Sequence, residues 1–557
     1  MSQSNYPIPQ LPNYQIQRYS SPMRARHLIW SATVVLALSV LSTTDLAQQP
    51  PYDVLIRNGR IVDGTGSPWY LGDVAVKGDT IVRVAARIDG AAARTIDVRG
   101  QVIAPGFIDI HSHARDGIFE LPSADNQVRQ GVTTLIEGPD GSSPIPLKPL
   151  LDNVAATGVT PNFGAFIGQG SVRAEVIGSI NRKATPAEIE RMREIVKQGM
   201  LDGAFGLSSG LFYVPGTFTP TDEVIELAKV AGAMGGIYIS HMRDETAKVL
   251  ASVRETIEIG EKGKLPTQIT HHKVIGQANW GGSVQTLALV DAARARGVDA
   301  TIDQYPYTAS ATNIGSALTP AWAREGGSDA TLARLTDAGS RADILAETIR
   351  ILQEERGGGD PQNVQLSRCR WDPTLDGKRL GDVTKARGLE PTLRNAADTV
   401  LWIVANGDCG GIYHAIGEED LQRILKHPAT MVASDSGVTV FGRANPHPRG
   451  YGTFVRVLGR YVRDLHVITL EEAVRKMTAF PAQRIGLSDR GIIRVGMKAD
   501  IAVFDPATVR DRATFEQPHQ YAEGVGVVIV NGRIVFENGQ MTTARPGRVL
   551  YGPAFTQ

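Results

Sequence analysis

The chain has 557 residues, enough for a barrel-sized domain with a smaller domain beside it. Lysine plus arginine and aspartate plus glutamate are equal at 58 each, so the formal net charge is zero, and the hydrophobic content of 42% is that of an ordinary globular protein. A neutral chain lacks the basic excess that binding to nucleic acid or to an anionic membrane requires, so we expect neither partner.

The N-terminal segment has the layout of an export signal. Arg24 and Arg26 precede the apolar run 28–41, and a polar stretch follows it. Such a run suits a signal peptide and is short for a membrane-spanning helix. We therefore expect residues 1–49 to be a signal peptide with an upstream segment, Met23 being an alternative start. The protein is then periplasmic or secreted, with no stable membrane insertion after cleavage; an uncleaved anchor is the alternative.

Short strands with turn signals begin at residue 53 and recur near the C-terminus. Asn58-Gly59 and Asn531-Gly532 each lie between two apolar runs, and such a turn needs two residues that tolerate positive φ. We predict a hairpin at each place. The two together predict a small β-sandwich domain built from both termini, its first part at 50–105 and its second at 482–557.

Between these parts, apolar segments alternate with amphipathic helical patterns such as 186–200 and 222–233. The strand candidates are 107–113, 133–138, 162–168, 203–210, 236–245, 267–273, 300–307 and 430–437. Eight strands alternating with helices predict an α/β fold, a TIM-like parallel (β/α)8 barrel over 106–481. The interval of about 308–405 is too long for one crossover and predicts an inserted lid.

Four of the 11 histidines fall at the C-terminal ends of predicted strands, namely His111, His113, His241 and His271. These ends meet on one face of a closed barrel, where active sites lie. Residues i and i+2 on a strand point the same way, so His111 and His113 can bind one ion together. Imidazoles from several directions favour zinc or a similar divalent metal.

Asp435 completes this pattern at the end of the last predicted strand. A carboxylate beside an activated water can take a proton during attack and return it to the leaving amine. The sequence therefore predicts a hydrolase in which Asp435 is the acid and base. Asp-Ser-Gly is also a turn sequence, so a structural role for Asp435 is the alternative.

Two further features leave alternatives open. Cys369 and Cys409 can form one disulfide bond or remain thiols. The segment 206–210, Gly-Leu-Ser-Ser-Gly, fits the pattern of a serine-hydrolase nucleophile elbow, but that motif needs a helix directly after the turn. The following Leu-Phe-Tyr-Val-Pro is a poor helix start, so we favour the metal site.

The segments APGFIDIHSH, SHMRDE, THHK, ASDSG and HPRGYGTFVRVLGRYVRD, with the closing RKMTAFPAQRIGLSDRGIIRVGMKADIAVFD, resemble the N-acyl-D-amino-acid deacylases of the amidohydrolase superfamily. The resemblance extends from residue 53 to about 540. It implies metal ligation by the four histidines, an acid and base role for Asp435, and one or two zinc-like ions. His272 points the opposite way on its strand and is expected to be a neighbour of the site only.

The sequence departs from this family at one ligand. The family has a metal-binding cysteine after the second strand, where this chain has Glu-Gly-Pro-Asp-Gly at 137–141. By its distance from His113, Asp140 is the favoured substitute, and Glu137 is the alternative carboxylate. Oxygen in place of thiolate could change the metal preference. No lysine stands on the fourth strand, so a carbamylated-lysine bridge is not expected.

The resemblance also implies that Lys273, Tyr305 and Arg449 hold the α-carboxylate of an acyl amino acid through charge-assisted hydrogen bonds. Arg243 and Glu245 are expected to pair with each other, and a direct substrate role is the alternative. The predicted activity is hydrolysis of a small-molecule N-acyl-D-amino acid to a carboxylate and a free amino acid. The alternatives are a dipeptidase, an amidase for larger acyl-amino-acid conjugates, or a metal-binding barrel without catalysis.

Overall fold

The structure, a computed structural model, describes residues 51–556. The predicted signal segment 1–49 lies outside these residues. Across 51–556, no helix is long and apolar enough to span a membrane. The described chain runs through a β domain, an α/β barrel with an insertion, and back into the β domain.

The β domain begins with the strands β1 (Tyr52–Ile61), β2 (Tyr70–Lys77), β3 (Thr80–Ala85), β4 (Ala92–Asp97) and β5 (Val102–Pro105). The hairpin predicted at Asn58-Gly59 is wrong, because both residues lie inside β1, which pairs antiparallel with β2. Asn58 has a φ of 59° and belongs to a break in the register between Ile56 and Gly59. A bulge and a tight turn both favour residues that tolerate positive φ, so an Asn-Gly pair in the sequence does not distinguish a bulge from a turn.

The barrel strands follow in chain order. They are β6 (Phe107–Asp109), β7 (Val132–Glu137), β8 (Asn162–Ala165), β9 (Ile167–Gly168), β10 (Gly206–Gly210), β11 (Ile237–His241), β12 (Thr267–Ile269), β13 (Ala300–Gln304) and, after the insertion, Thr430–Val432. β8 and β9 are two pieces of one strand, separated by Phe166. Neighbouring strands pair parallel throughout. A parallel bridge between Ser112 and Ser436 joins the last strand to the first, so the predicted (β/α)8 barrel is confirmed.

Several strands end earlier than their apolar patterns. β6 stops at Asp109 and β12 at Ile269, although both patterns continue to the histidines beyond. At His271 the chain has left the sheet with a φ of 36°, and at Asp435 with a φ of 52°. These side chains therefore stand on turns directly above the strands, which places them over the mouth of the barrel.

The helices of the barrel are α1 (Asp125–Val128), α2 (Lys148–Thr157), α3 (Gln169–Val176), α4 (Pro186–Leu201), α5 (Thr221–Ala233), α6 (Val249–Gly263) and α7 (Ser283–Ala295). The predicted helices 186–200 and 222–233 are confirmed within one residue at each end. Thr185 begins α4 with a capping box: its hydroxyl accepts the N–H of Glu188, and the Glu188 carboxylate accepts the N–H of Thr185 at 2.8 Å. Pro186 fits the first turn, where no backbone donor is needed.

The insertion is a folded subdomain. Its strands β14 (Ser310–Asn313), β15 (Val364–Arg368) and β16 (Gly410–Tyr413) form an antiparallel sheet with β16 in the middle. Its helices are α8 (Ile314–Leu318), α9 (Ser328–Thr336), α10 (Ala338–Glu354), α11 (Leu380–Ala386) and α12 (Leu393–Ala405). Because β16 returns between the other two strands, the insertion continues past residue 405. A disulfide bond joins Cys369 and Cys409, which settles the open alternative for the cysteines.

The chain then passes through α13 (Glu418–Lys426), the last barrel strand β17 (Thr430–Val432), α14 (Arg449–Arg456), a π-helical turn at Val457–Asp464, α15 (Leu470–Met477) and α16 (Ala479–Arg484). It ends in β18 (Ile501–Phe504), β19 (Val525–Val530), β20 (Arg533–Glu537) and β21 (Gln540–Met541). The hairpin at Asn531-Gly532 is confirmed: both residues have positive φ, 44° and 76°, between β19 and β20. β18 pairs antiparallel with β5, so strands from both termini share one sheet.

Candidate metal centre

The four predicted histidines meet at the mouth of the barrel. His111 and His113 follow β6, His241 ends β11, and His271 comes two residues after β12. The Nε2 atom of His271 lies 2.8 Å from Nδ1 of His241, and the ring centres of His111 and His271 are 4.9 Å apart. His113 is the most exposed of the four, with 32% of its side chain accessible. Side chains from three separate strands thus converge, as the sequence predicted.

Asp140 lies at the centre of these histidines. Its Oδ1 atom is 3.4 Å from Nε2 of both His111 and His271, and its Oδ2 atom is 3.5 Å from Nε2 of His113 and 3.6 Å from Nδ1 of His241. The carboxylate therefore belongs to two candidate ligand groups whose donor atoms lie within 4.8 Å of one another. One group is His111, His113, Asp140 and Asp435, and the other is Asp140, His241 and His271. A carboxylate shared in this way can bridge two cations.

Glu137, the alternative carboxylate, lies in neither group. Its Oε2 atom accepts the backbone N–H of Arg115 at 2.8 Å, and the Arg115 guanidinium lies 3.8 Å from Oε1. Burial raises the pKa of Glu137, an effect that Arg115 only partly offsets. The geometry therefore favours Asp140 over Glu137 as the ligand that replaces the family's cysteine, because the Glu137 carboxylate already pairs with Arg115.

Several donor atoms in the cluster lack partners among the described residues. Both ring nitrogens of His111, Nε2 of His241 and Oδ1 of Asp140 are buried without a hydrogen bond. Buried polar atoms are rarely left unsatisfied, because removing them from water without a partner costs about 1–3 kcal/mol each. Imidazole and carboxylate donors that converge without partners fit a zinc-like divalent cation.

The electrostatics of the cluster agree with this fit. Burial alone would raise the pKa of Asp140, but His111, His271 and His241 together hold it well below its usual value. Burial alone would lower the pKa of His113, but Asp140 and Asp435 outweigh that effect and raise the pKa to about 10. The carboxylates thus stabilise positive charge at this point, which a metal ion supplies without protonating its ligands.

Three site residues have left-handed backbone conformations: Asp140, His271 and Asp435, with φ values of 56°, 36° and 52°. Such conformations are uncommon outside glycine and persist where the surroundings enforce them. The N–H of His271 donates to Oδ1 of Asp303 at 2.7 Å, and the N–H of Asp435 donates to the His111 carbonyl at 2.9 Å. These bonds hold each turn so that its side chain points into the cluster.

The Gly-Leu-Ser-Ser-Gly segment supports the Asp140 turn. The Ser208 hydroxyl donates to the Gly138 carbonyl at 2.6 Å and accepts the N–H of Gly141 at 3.2 Å. A side chain on Gly210 would come within 2.1 Å of the Asp140 carbonyl oxygen, so glycine is required there. Ser208 therefore holds the ligand turn, and the segment has no strand–turn–helix geometry, because a turn and a short 3-10 helix follow β10.

The predicted carboxylate-binding residues border the same site. Nη1 of Arg449 lies 2.8 Å from Oδ2 of Asp435, and its guanidinium lies 4.7 Å from the centre of the Tyr305 ring. Nζ of Lys273 is 5.7 Å from that ring centre, and the buried Tyr305 hydroxyl has no partner among the described residues. Arg449 is the first residue of α14, which fixes its backbone.

Sequence reasoning missed an ionic network behind these residues. The expected pair of Glu245 with Arg243 is wrong, because Glu245 pairs with Lys273. Its Oε1 atom is 3.2 Å from Nδ1 of His271. Arg243 instead binds Glu255 at 2.8 Å, because its side chain turns outward over α6. Arg356 of the insertion lies 3.5 Å from Glu245. A carboxylate on the far nitrogen of a metal-binding histidine fixes the orientation of the ring.

His272 confirms its predicted place outside the cluster. Its Nε2 atom lies 2.8 Å from the Thr286 hydroxyl on α7, and burial lowers its pKa to about 3. Both residues lie beyond the end of β12, and His272 faces α7 while His271 faces the cluster.

The cluster opens into a cavity of about 590 Å³. Its lining includes the candidate ligands His113, Asp140, His241 and His271 together with Lys273, Tyr305, Asp435 and Arg449. The insertion completes one wall through residues 310–313, Ser316 and Arg356. A small molecule in this cavity therefore contacts the cluster, the acidic Asp435 and the cations at once.

The barrel and its histidine–carboxylate cluster define a hydrolase of the metal-dependent barrel type. The model of the amidohydrolase family matches residues 94–536. A D-aminoacylase from Alcaligenes xylosoxydans xylosoxydans is 37% identical over 523 residues, which cover 90% of this chain and 98% of that protein. This chain therefore belongs to the amidohydrolase family, and within it to the D-aminoacylases and related N-acyl-D-amino-acid deacylases.

Solved structures support the same placement. One describes the binuclear metal centre of a D-aminoacylase, with a TM-score of 0.77 and 35% identity over 90% of this chain and 100% of that one. Another is an N-acyl-D-glutamate deacylase from Bordetella bronchiseptica, complexed with zinc and a phosphonate that mimics the tetrahedral intermediate. It has a TM-score of 0.77 and 32% identity over the same shares of the two chains.

Proposed function

We propose that this protein hydrolyses the amide bond of N-acyl-D-amino acids and releases a carboxylate and a free D-amino acid. The observation that carries the proposal is the contact between Arg449 and Asp435 at 2.8 Å, beside the histidine cluster. An acyl amino acid has its carboxylate one carbon away from the scissile nitrogen. A carboxylate-binding cation and a proton donor must therefore stand side by side, as these two residues do. The D configuration rests on the named relatives.

The four histidines and Asp140 would hold zinc in this proposal, and Asp140 belongs to both candidate ligand groups. When bound, zinc supplies Lewis-acid activation of the water and of the scissile carbonyl. Lys273 and Glu245 both contact Nδ1 of His271, at 2.8 and 3.2 Å, and hold its ring, and Asp303 holds the His271 backbone. Unpaired donors and a shared carboxylate are the features that support one or two divalent ions.

Asp435 is the acid and base of the proposed reaction. Burial would raise its pKa, but Arg449 and His271 hold it well below its usual value, so the carboxylate is ionised and able to accept a proton. It takes the proton of the attacking water and delivers it to the departing amine nitrogen. General acid–base assistance of this kind contributes ~10²–10⁴-fold to a rate.

Arg449, Lys273 and Tyr305 position the substrate. The Tyr305 hydroxyl is buried and has no partner among residues 51–556, so it can donate a hydrogen bond to a carboxylate oxygen. Arg449 offers a planar, permanently charged donor pair for the same group. Fixing the carboxylate fixes the adjacent amide, which brings the scissile carbonyl and nitrogen into reach of the reacting groups.

The test is a panel of D- and L-N-acetyl amino acids, dipeptides and larger acyl-amino-acid conjugates, assayed with zinc-loaded protein. The proposal expects release of free amino acid from the D-N-acyl series, with L substrates slower. Preference for dipeptides or larger conjugates would favour the dipeptidase or amidase alternative. Metal binding without turnover of any member would favour a binding barrel, an outcome that the ionised Asp435 beside the cluster argues against.

We also propose that the protein is exported to the periplasm or secreted. The support is the basic and apolar pattern at 24–41 together with the Cys369–Cys409 disulfide, since such bonds persist in oxidising compartments. Cell fractionation and N-terminal sequencing of the mature protein test this. Full-length protein in the cytoplasm would contradict it.

A further inference from the structure

A second cavity of about 340 Å³ adjoins the catalytic one. Both cavities are bordered by Val214, on the loop after β10, and by Ser316, on α8 of the insertion. Two helices of the insertion contribute to the remaining walls, through Thr331 and Leu332 of α9 and Val404 and Ala405 of α12. We call this second space the acyl chamber. It continues the site away from Arg449, which does not border it.

Several polar groups of the acyl chamber already have partners in the chain, while Nε of Arg324 is buried without a hydrogen bond among the described residues. The guanidinium of Arg324 donates to the hydroxyl and carbonyl of Ser316, both at 3.3 Å. Asp408 accepts the backbone N–H groups of Gly315 at 2.9 Å and Cys409 at 2.8 Å. Aliphatic side chains in the lining are Val214, Leu332, Val404 and Ala405, and Leu332 is 40% exposed. An occupant made of hydrocarbon gains by covering such a surface.

The direction of the substrate follows from the proposed function, on which this inference rests. Asp435 faces the scissile nitrogen and Arg449 faces the carboxylate, so the amino-acid half lies on their side of the cluster. A cavity of about 290 Å³ that borders both residues and Pro446 offers room there for the amino-acid side chain. The acyl half must leave the scissile carbon on the other side, past Tyr213 and Val214.

We propose that the acyl chamber receives the distal part of the acyl chain, so that this protein prefers N-acyl-D-amino acids with medium to long hydrocarbon chains over N-acetyl ones. The acetyl group ends inside the catalytic cavity. Longer chains pass between Val214 and Ser316 and cover Leu332, Thr331 and Val404. The insertion thus selects the acyl group, while the barrel performs the hydrolysis.

The experiment is a chain-length series from acetyl to decanoyl on one D-amino acid, with kcat/KM measured on zinc-loaded protein. A methylene moved fully from water into an apolar site is worth ~4-fold, the equivalent of ~0.8 kcal/mol. Because only the distal methylenes enter the chamber, we expect a rise of at least tenfold from acetyl to octanoyl. A flat or falling series in an enzyme that hydrolyses the acetyl substrate would overturn the inference.

Comparison of Leu332→Glu with its matched control Ala333→Glu tests whether the acyl chamber causes the chain-length preference. Both add the same charge to the exposed side of α9, but Ala333 does not border the chamber. We expect the octanoyl-to-acetyl ratio of kcat/KM to fall about tenfold in Leu332→Glu and to keep its wild-type value in Ala333→Glu. Equal ratios in the two variants would contradict the proposal.

A binding measurement separates this inference from the proposed function. Titration calorimetry with octanoate and acetate on zinc-loaded protein measures the affinity of the chamber for a hydrocarbon chain and needs no turnover. If no acyl-D-amino acid is hydrolysed, the proposed function fails. Tight octanoate binding that Leu332→Glu weakens and Ala333→Glu preserves would then still support the chamber, and equal binding of octanoate and acetate would refute it.

Discussion

Nη1 of Arg449 lies 2.8 Å from Oδ2 of Asp435, both side chains being almost fully buried. In the substrate-bound enzyme, the carboxylate of the ligand competes with Asp435 for this guanidinium. Arg449 therefore has two effects in the proposed mechanism: it binds the substrate, and it holds the pKa of Asp435 well below its usual value. The predictions below separate these contributions.

Arg449→Met should raise KM by roughly 10- to 100-fold, the loss expected for one charged hydrogen bond of ~1.5–3 kcal/mol. The decisive comparison uses a substrate whose carboxylate is amidated, assayed on wild type and variant. The amidated substrate should be poor for the wild type, and its KM should hardly change with the substitution, whereas the effect on Asp435 should appear in kcat for both substrates. An equal rise in KM for charged and amidated substrates would show that Arg449 does not bind the carboxylate.

Asp435→Asn should lower kcat by ~10²–10⁴-fold, the usual contribution of a general acid and base. We expect the bound metal to remain, because the four histidines and Asp140 still supply donors. Elemental analysis of the same preparation used for kinetics provides the check. Turnover close to wild type with metal bound would remove Asp435 from the mechanism.

Asp140→Ala should reduce the bound metal and the activity together, because its carboxylate contacts all four histidines. Glu137→Gln is the matched control: the amide oxygen can still accept the Arg115 N–H, and Glu137 lies in neither ligand group. The measurement is metal stoichiometry after exhaustive dialysis. Loss of metal in Glu137→Gln but not in Asp140→Ala would reverse the assignment.

Reduction of the Cys369–Cys409 disulfide should lower the stability of the insertion. The bond closes a loop with a sequence separation of 40, for which loop-closure entropy gives an upper value of about 4 kcal/mol. Differential scanning fluorimetry should show a lower Tm with reductant than without it. The Cys369→Ser/Cys409→Ser double variant should have the Tm of the reduced protein, and reductant should not change it. A Tm that reductant leaves unchanged would contradict this.

Much of the barrel and the centre of the site follow from sequence patterns. Strand ends in a closed barrel meet, which predicts the convergence of the four histidines. His111, His113 and His271 stand just beyond the ends of β6 and β12, so the placement at the strand ends was predictable, but the turn geometry that aims each ring was not.

Other features depend on contacts that local sequence does not specify. Asn58-Gly59 signals positive φ, but only the pairing with β2 decides between a bulge and a turn. The partner of Glu245 is Lys273, just beyond the end of β12, not Arg243 two residues away, because the pairing of β11 with β12 brings the two segments together. Arg356 reaches the site from the folded insertion, and no motif marks it in the sequence.

The most direct test of the central claim measures hydrolysis of an N-acyl-D-amino acid by one preparation in three states: zinc-loaded, chelator-treated, and reconstituted with zinc. Histidines from three strand ends and Asp140 hold the metal in this account, so activity should disappear with the metal and return with it, and His111→Asn should lose both metal and activity. The D substrate should be cleaved faster than its L enantiomer. Full activity in a preparation that elemental analysis shows to be free of metal would contradict the account.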